Sequence, residues 1–154
     1  MKPTRLISPP GTYFVNTTTW ARRALFQAEP LARIFFKNLL QHRSAGRYLL
    51  HDFVLMPNHC HIIFTPSPTV TLERAMQLIK GGSSHRLKAE QVFQGNVWQR
   101  GYTDHRIRDW EDYIAHREYI LKNAKQQMRG LPAEKYPFCS VYPGWTLDPV
   151  SLSG

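Results

Sequence analysis

The sequence has few cysteines, few acidic residues and no apolar stretch suited to a membrane. Cys60 and Cys139 are its 2 cysteines. They cannot build a disulfide framework, and no Cys-x-x-Cys zinc pair exists. The opening Met1-Lys2-Pro3-Thr4-Arg5 lacks the apolar core of a secretory leader, so the expected location is cytoplasmic. The longest uncharged run, Phe53 to Leu72, approaches the length of a membrane span. It holds Pro57, His59, His61, Pro66 and Pro68, which a lipid-facing helix does not tolerate. Repeats, linkers and low-complexity segments are also missing. The shortage of acid is the most informative: 11 Asp+Glu stand against 20 Lys+Arg, a net charge of +9. A domain that basic has an electrostatic reason to bind polyanions, nucleic acid first among them.

What is present suits one folded domain over residues 1–154, with an irregular tail from about residue 131. Apolar residues are 42% and aromatics 12% of the 154 positions, enough for a sizeable core. Gly11 to Thr19 is β-branched and aromatic and predicts a first strand. Pro30 opens a helix to about Ser44, with Leu31, Ile34, Phe35, Leu39 and Leu40 at spacings of three and four. Arg47 to Leu55 and His59 to Thr65 predict two strands joined through Met56-Pro57-Asn58. Thr71 is a plausible N-cap for a helix over Leu72 to Lys80, whose passage through Gly81-Gly82 the sequence leaves open. Val97 to Tyr102 predicts a fourth strand. Trp110 to Met128 is the longest helix, closed by Gly130 and Pro132. Strand, helix, two strands, helix, strand, helix is the order of an α+β domain: a ferredoxin-like antiparallel sheet carrying packed helices.

On a strand, His59 and His61 emerge from one face while Cys60 points to the other, into the core. Two such imidazoles can grip one cation, given a third ligand. Taken alone, the spacing serves a structural pair as well as a metal site. A site completed by an oxygen donor suits magnesium or manganese rather than zinc.

In the last helix, Trp110, Tyr113, Ile114, Ile120, Leu121, Ala124 and Met128 form one broad apolar stripe. Arg117 is the only charge within it, with a stem able to snorkel out. Asp112, His116, Tyr119 and Asn123 share the opposite side. The expectation is therefore that Tyr113 is core and Tyr119 is not. A phenol one turn from an amide, near a metal, is a set that phosphoryl transfer can use.

Four ordered blocks carry a resemblance. They are Leu55-Met56-Pro57-Asn58-His59-Cys60-His61-Ile62-Ile63, Leu78-Ile79-Lys80-Gly81 with Ser83-Ser84, Val97 to Arg108, and Tyr119-Ile120-Leu121-Lys122-Asn123. Together they resemble the single-tyrosine HUH transposases of the insertion-sequence type, and most of all the REP-associated tyrosine transposases. The resemblance implies nicking and strand transfer of single-stranded DNA beside a hairpin, through a 5′-phosphotyrosine. It also implies that Tyr119, on a C-terminal catalytic helix, is the nucleophile. His59, His61 and Asn123 would hold Mg²⁺ or Mn²⁺, and the setting would be the nucleoid. One departure stands out: Ala124-Lys125 follows the asparagine where REP-associated members usually have Pro-Val. Without that proline the helix is free to run on. No general base is assigned, although His105 and His116 lie near in sequence. Both monomer and homodimer remain compatible with the sequence.

Seven Lys/Arg lie between Arg74 and Arg108, interleaved with Phe93, Trp98 and Tyr102. Basic groups neutralise phosphates and aromatic planes stack on unpaired bases. Lys80, Arg86 and Arg100 are the expected backbone contacts, with Arg22-Arg23 as a further pair. Two other readings compete: a hairpin-binding module without chemistry, and a metal-dependent hydrolase in which water attacks.

Overall fold

The computed structural model describes residues 7–152; the opening segment Met1–Arg5 read above lies outside them. Its strands are β1 (Tyr13–Thr18), β2 (Tyr48–Leu55), β3 (His59–Pro66) and β4 (Thr103–Arg106). The helices are α1 (Glu29–Ser44), α2 (Leu72–Ala89) and α3 (Trp110–Gln127). The four strands form one sheet in the order β2-β3-β1-β4, with every neighbouring pair antiparallel. That is the ferredoxin-like arrangement expected from the element order.

Alternation along the two central strands separates the faces. Tyr13, Val15, Cys60, Ile62 and Phe64 pack with Phe35, Leu39, Met76 and Ile79 of α1 and α2. Ile63 and Val54 turn the other way and pack with Tyr113, Ile120 and Ala124 of α3. His59 and His61, in step with Ile63, therefore lie on the α3 face.

Helix α2 continues through both glycines. Its N-cap is Thr71, whose Oγ1 accepts a hydrogen bond from the Arg74 N–H at 3.0 Å. Gly82 has a packing reason to be glycine. Asn38 of α1 is buried and donates from Nδ2 to the Leu78 and Ile79 carbonyls at 3.0 and 3.3 Å. A Cβ at position 82 would meet its Oδ1 at 2.5 Å.

The fourth strand lies later than the sequence predicts. Val97–Tyr102 holds only an isolated bridge, Trp98 to Thr19, before the chain turns at Gly101, φ 74°, and enters β4. Val97 and Trp98 look strand-like because they pack against the α1–α2 core. Thr103-Asp104-His105-Arg106 lies at the sheet edge and is largely exposed, so no apolar alternation marks it.

The C-terminal tail lies along the outer edge of β2. The Leu55 N–H donates to the Phe138 carbonyl and the Ser140 N–H to the Phe53 carbonyl, both at 2.9 Å. Arg43 grips both carboxylate oxygens of Asp148 at 2.8 and 2.9 Å, and Asp148 also accepts from the Leu50 N–H at 2.9 Å. Among the described residues no helix is long and apolar enough to cross a membrane.

Candidate active site

Helix α3 starts at Asp109, whose Oδ1 accepts from the Asp112 N–H at 2.8 Å. It runs to Gln127, past the position where a proline would have stopped it. Its buried side differs from the stripe read from sequence. Tyr113, Ile120 and Ala124 are buried as expected, but Trp110 and Ile114 are exposed, while Asp112 and Asn123 are buried. The helix is rolled toward its polar row because the sheet beneath it offers polar partners. Arg117 does not snorkel away: its Nε donates to the buried Asp52 at 3.2 Å, and the Tyr113 hydroxyl donates to the same carboxylate.

The roll brings His59, His61, Tyr119 and Asn123 together. His59 and His61 ring centroids lie 5.0 Å apart, and the Tyr119 ring lies 5.1 Å from that of His61. The Asn123 Nδ2 donates to the Tyr119 carbonyl at 2.9 Å, which turns its Oδ1 toward His59 Nε2 at 3.3 Å. His59 Nδ1 is 2.7 Å from Asn58 Oδ1. Burial pushes the His59 pKa down, against the pull of Asn123, and Arg22 lowers it further. The ring is thus neutral at pH 7 and has one proton, which the shorter contact to Asn58 claims. Nε2 then turns a lone pair toward the Asn123 oxygen, an arrangement that favours a cation between them.

His61 is buried, and both of its ring nitrogens lack a hydrogen-bond partner among the described residues. Its pKa is pushed down to about 3 by burial, then by His59, so it too is neutral. A buried imidazole without partners costs free energy unless something coordinates it. Asn16, paired with His61 across β1 and β3, has a buried and unpartnered Oδ1 as well. This donor set of two neutral imidazoles and an amide oxygen fits a divalent cation.

Tyr119 is 51% exposed, and its hydroxyl makes no hydrogen bond among the described residues. Its ring stands edge-on to Phe14 and His61, so the phenol is held at one end and free at the other.

His105, Asp112 and His116 form a neighbouring group, with ligand atoms within 4.8 Å of one another, that could also hold a cation. The two imidazoles stack at 4.5 Å with planes 16° apart, so their in-plane lone pairs run side by side rather than converging. Instead, His105 Nε2 donates to both carboxylate oxygens of Asp112 at 2.8 and 3.0 Å, and His116 Nδ1 donates to the Asp112 carbonyl at 2.8 Å. Burial raises the Asp112 pKa, but the Arg108 N–H and His105 outweigh it and leave the carboxyl below its usual range. Sequence reading put Asp112 on a polar face and missed this role; three acids, Asp109, Glu111 and Asp112, lie between the two histidines, and the sequence does not single out the one they share.

Of the expected DNA contacts, Lys80 and Arg100 are neighbours, since Lys80 grips the carbonyls on either side of Arg100. Lys80 donates to the Gln99 carbonyl at 2.8 Å and to the Gly101 carbonyl, tying the loop before β4 to α2. Arg86 lies on the α1–α2 side, where its charge reaches His42. Arg100 projects from the loop, exposed. Asn58, quoted in the motif but given no role, is the residue that sets the His59 tautomer.

A four-stranded α+β sheet with a histidine pair facing a tyrosine on the covering helix defines a class of transposase-like domains. The chain belongs to the family described as "Transposase IS200 like", whose model matches residues 12–123 and so ends on Asn123. A relative in Haemophilus influenzae, described as an uncharacterized protein, is 32% identical over 97 residues, covering 48% of this chain and 53% of that protein. The chain thus spans about half the length of the curated relative it matches. Among solved structures, a REP-associated tyrosine transposase bound to a REP hairpin superposes with TM-score 0.67 at 24% identity, over 99% of this chain and 95% of that one. A transposase-like protein from Deinococcus radiodurans gives TM-score 0.51 at 19% identity, over 80% and 98% of the two chains. Both likenesses establish the shared fold.

Proposed function

We propose that this chain, acting as a single domain, nicks and transfers single-stranded DNA beside a hairpin. Tyr119 is the nucleophile, and Mg²⁺ or Mn²⁺ is held by His59, His61 and Asn123. Support comes first from the facing lone pairs of His59 and Asn123 beside the unpartnered nitrogens of His61. Family membership supports the transposition setting. The hairpin comes from the solved relative, whose own structure holds one.

In this reading the Tyr119 oxygen attacks a backbone phosphorus. The Tyr–O–P bond forms as the P–O3′ bond breaks, the phenol loses its proton, and the departing 3′ oxygen takes one up. A cation held by His59, His61 and Asn123 would supply Lewis-acid polarisation of the phosphate. Asn58 fixes the His59 tautomer, Asn123 holds its oxygen toward the imidazole, and Phe14 and His61 fix the plane of the phenol. Because the phosphate stays bonded to the protein, a second 3′-hydroxyl can reverse the step without ATP.

The test is incubation with Mn²⁺ or Mg²⁺ and labelled hairpin oligonucleotides from the DNA flanking the gene, read as an SDS-resistant shift of the protein band. A shift lost in Tyr119→Phe is expected. Binding without a shift points to the module that lacks chemistry. Cleavage without an adduct, unchanged in the variant, makes water the nucleophile.

A further inference from the structure

The turn between β1 and α1 carries features that neither the fold nor the histidine site uses. Trp20 is 44% exposed, and its indole has no aromatic partner among the described residues. The backbone N–H of Arg22 donates to the Thr19 carbonyl at 3.0 Å, but its exposed guanidinium makes no hydrogen bond or ion pair among the described residues. Its neighbour Arg23 is committed: it donates to the Asn96 carbonyl at 2.8 Å and lies 5.3 Å from the Phe93 ring centroid. The two arginines that sequence treats as a pair therefore differ in kind.

The turn is anchored to the strand connection that delivers His59. The Thr19 N–H donates to the Asn58 carbonyl at 2.9 Å, its hydroxyl donates to the Arg23 carbonyl at 2.7 Å, and the Phe26 N–H donates to the Pro57 carbonyl at 2.9 Å. Ala21 and Arg22 both adopt left-handed backbone, φ 55° and 54°, which carries the chain round sharply between those anchors. The Arg22 charge is felt at His59. On the other flank, the Trp20 N–H donates to the Val97 carbonyl and the Gln99 N–H to the Thr18 carbonyl, both at 2.9 Å. That pairing brings the loop bearing the exposed Arg100 alongside.

We propose that Trp20 and Arg22 form a clamp for single-stranded nucleic acid next to the histidine site, Trp20 stacking on an unpaired base and Arg22 meeting the adjoining phosphate. The clamp deepens the proposed function and rests on it for the identity of the substrate. An indole offers a stacking plane to any base, and an unpaired guanidinium complements phosphate. Its occupant is the unpaired strand flanking a hairpin, because a paired base hides both its faces in the stack.

Fluorescence anisotropy in the full chain separates the two readings. The probes are a blunt hairpin, the same hairpin with a single-stranded flank, and an unstructured oligothymidylate. Trp20→Ala is expected to weaken binding of the flanked hairpin and of oligothymidylate about five- to hundredfold, with the blunt hairpin unchanged and Trp20→Phe largely restoring affinity. Arg22→Ala is expected to reduce the salt dependence of that binding by about one phosphate contact. Thermal melts confirm that both variants fold. Equal binding of all probes by Trp20→Ala and wild type overturns the clamp. If the wild type binds no hairpin, the proposed function fails, and oligothymidylate alone then decides the clamp. Binding of it that Trp20→Ala loses keeps the clamp, and absent or unaltered binding overturns it.

Discussion

The Tyr119 ring stands edge-on to the His61 imidazole, with centroids 5.1 Å apart and planes at 75°. The contact fixes where the phenol sits while its hydroxyl stays free of the fold. Tyr119→Phe is therefore expected to change stability by no more than about 0.5 kcal/mol. Tyr113→Phe, one helical stripe away, removes a hydrogen bond to the buried Asp52 and is expected to cost about 1–3 kcal/mol. Urea denaturation of both variants checks this. Equal stabilities would mean that the Tyr113 bond contributes nothing.

Asn123 provides a test of the cation site that does not need DNA. Asn123→Ala and His59→Ala are each expected to weaken Mn²⁺ binding by at least the ~10–100-fold typical of losing an outer-shell partner. Asn123→Asp, which keeps an oxygen and adds charge, is expected to retain binding. Manganese titration followed by electron paramagnetic resonance measures this directly. Undiminished binding in Asn123→Ala would remove that side chain from the ligand set.

The two neighbouring glycines of α2 are expected to respond with opposite signs. Gly81 has nothing within 4 Å of an added Cβ, so Gly81→Ala should stabilise by about 1 kcal/mol through helix propensity. Gly82→Ala pushes against Asn38, which cannot retreat without giving up its bonds to Leu78 and Ile79. A loss of about 1–3 kcal/mol is expected. Thermal unfolding of the pair decides it, and two shifts of the same sign would contradict the packing argument.

His51 ties stability to acid. It is buried between the Asp148 carbonyl and the Thr65 hydroxyl, at 2.8 and 2.7 Å. Burial is the largest influence on its pKa and holds it below the ordinary 6.5. The unfolded chain then binds more protons than the native one as pH falls below about 6.5, so stability declines in that direction and is unaffected above it. Further down, Asp148, whose carboxyl Arg43 holds below its ordinary 3.8, loses its ion pair in the same direction. The slope between pH 6.5 and 5 is expected to be shallower in His51→Gln, as chemical denaturation at several pH values would measure.

Six of the seven main elements are legible in the sequence: β1, β2, β3, α1 and α3 from their apolar patterns, and α2 from its Thr71 cap as far as Lys80. The His-Cys-His alternation placed Cys60 in the core correctly, since a strand between two packed layers leaves no other choice. Two features lay beyond a one-dimensional pattern. Strand β4 carries no apolar signal at the open edge, while Val97 and Trp98, outside any named strand, carry one because they plug the core beside it. The roll of α3 depends on the sheet beneath. Asp112 and Asn123 are buried by partners supplied from β4 and β3, at sequence distances where helical periodicity is silent. Gly82 was unreadable for the same reason, since its constraint comes from Asn38 on another helix.

The tail along β2 has a consequence for how copies of the chain can meet. Its bonds at Leu55 and Phe53, with Asp148 on the Leu50 N–H, occupy backbone groups that an open edge would offer to a neighbouring molecule. Growth of the sheet from one copy into the next is thereby discouraged on that side. The opposite edge is β4, four residues long and fringed by Asp104 and Arg106, a poor template for a foreign strand. Copies of this basic chain brought close together would thus be kept from fusing sheet to sheet at either edge.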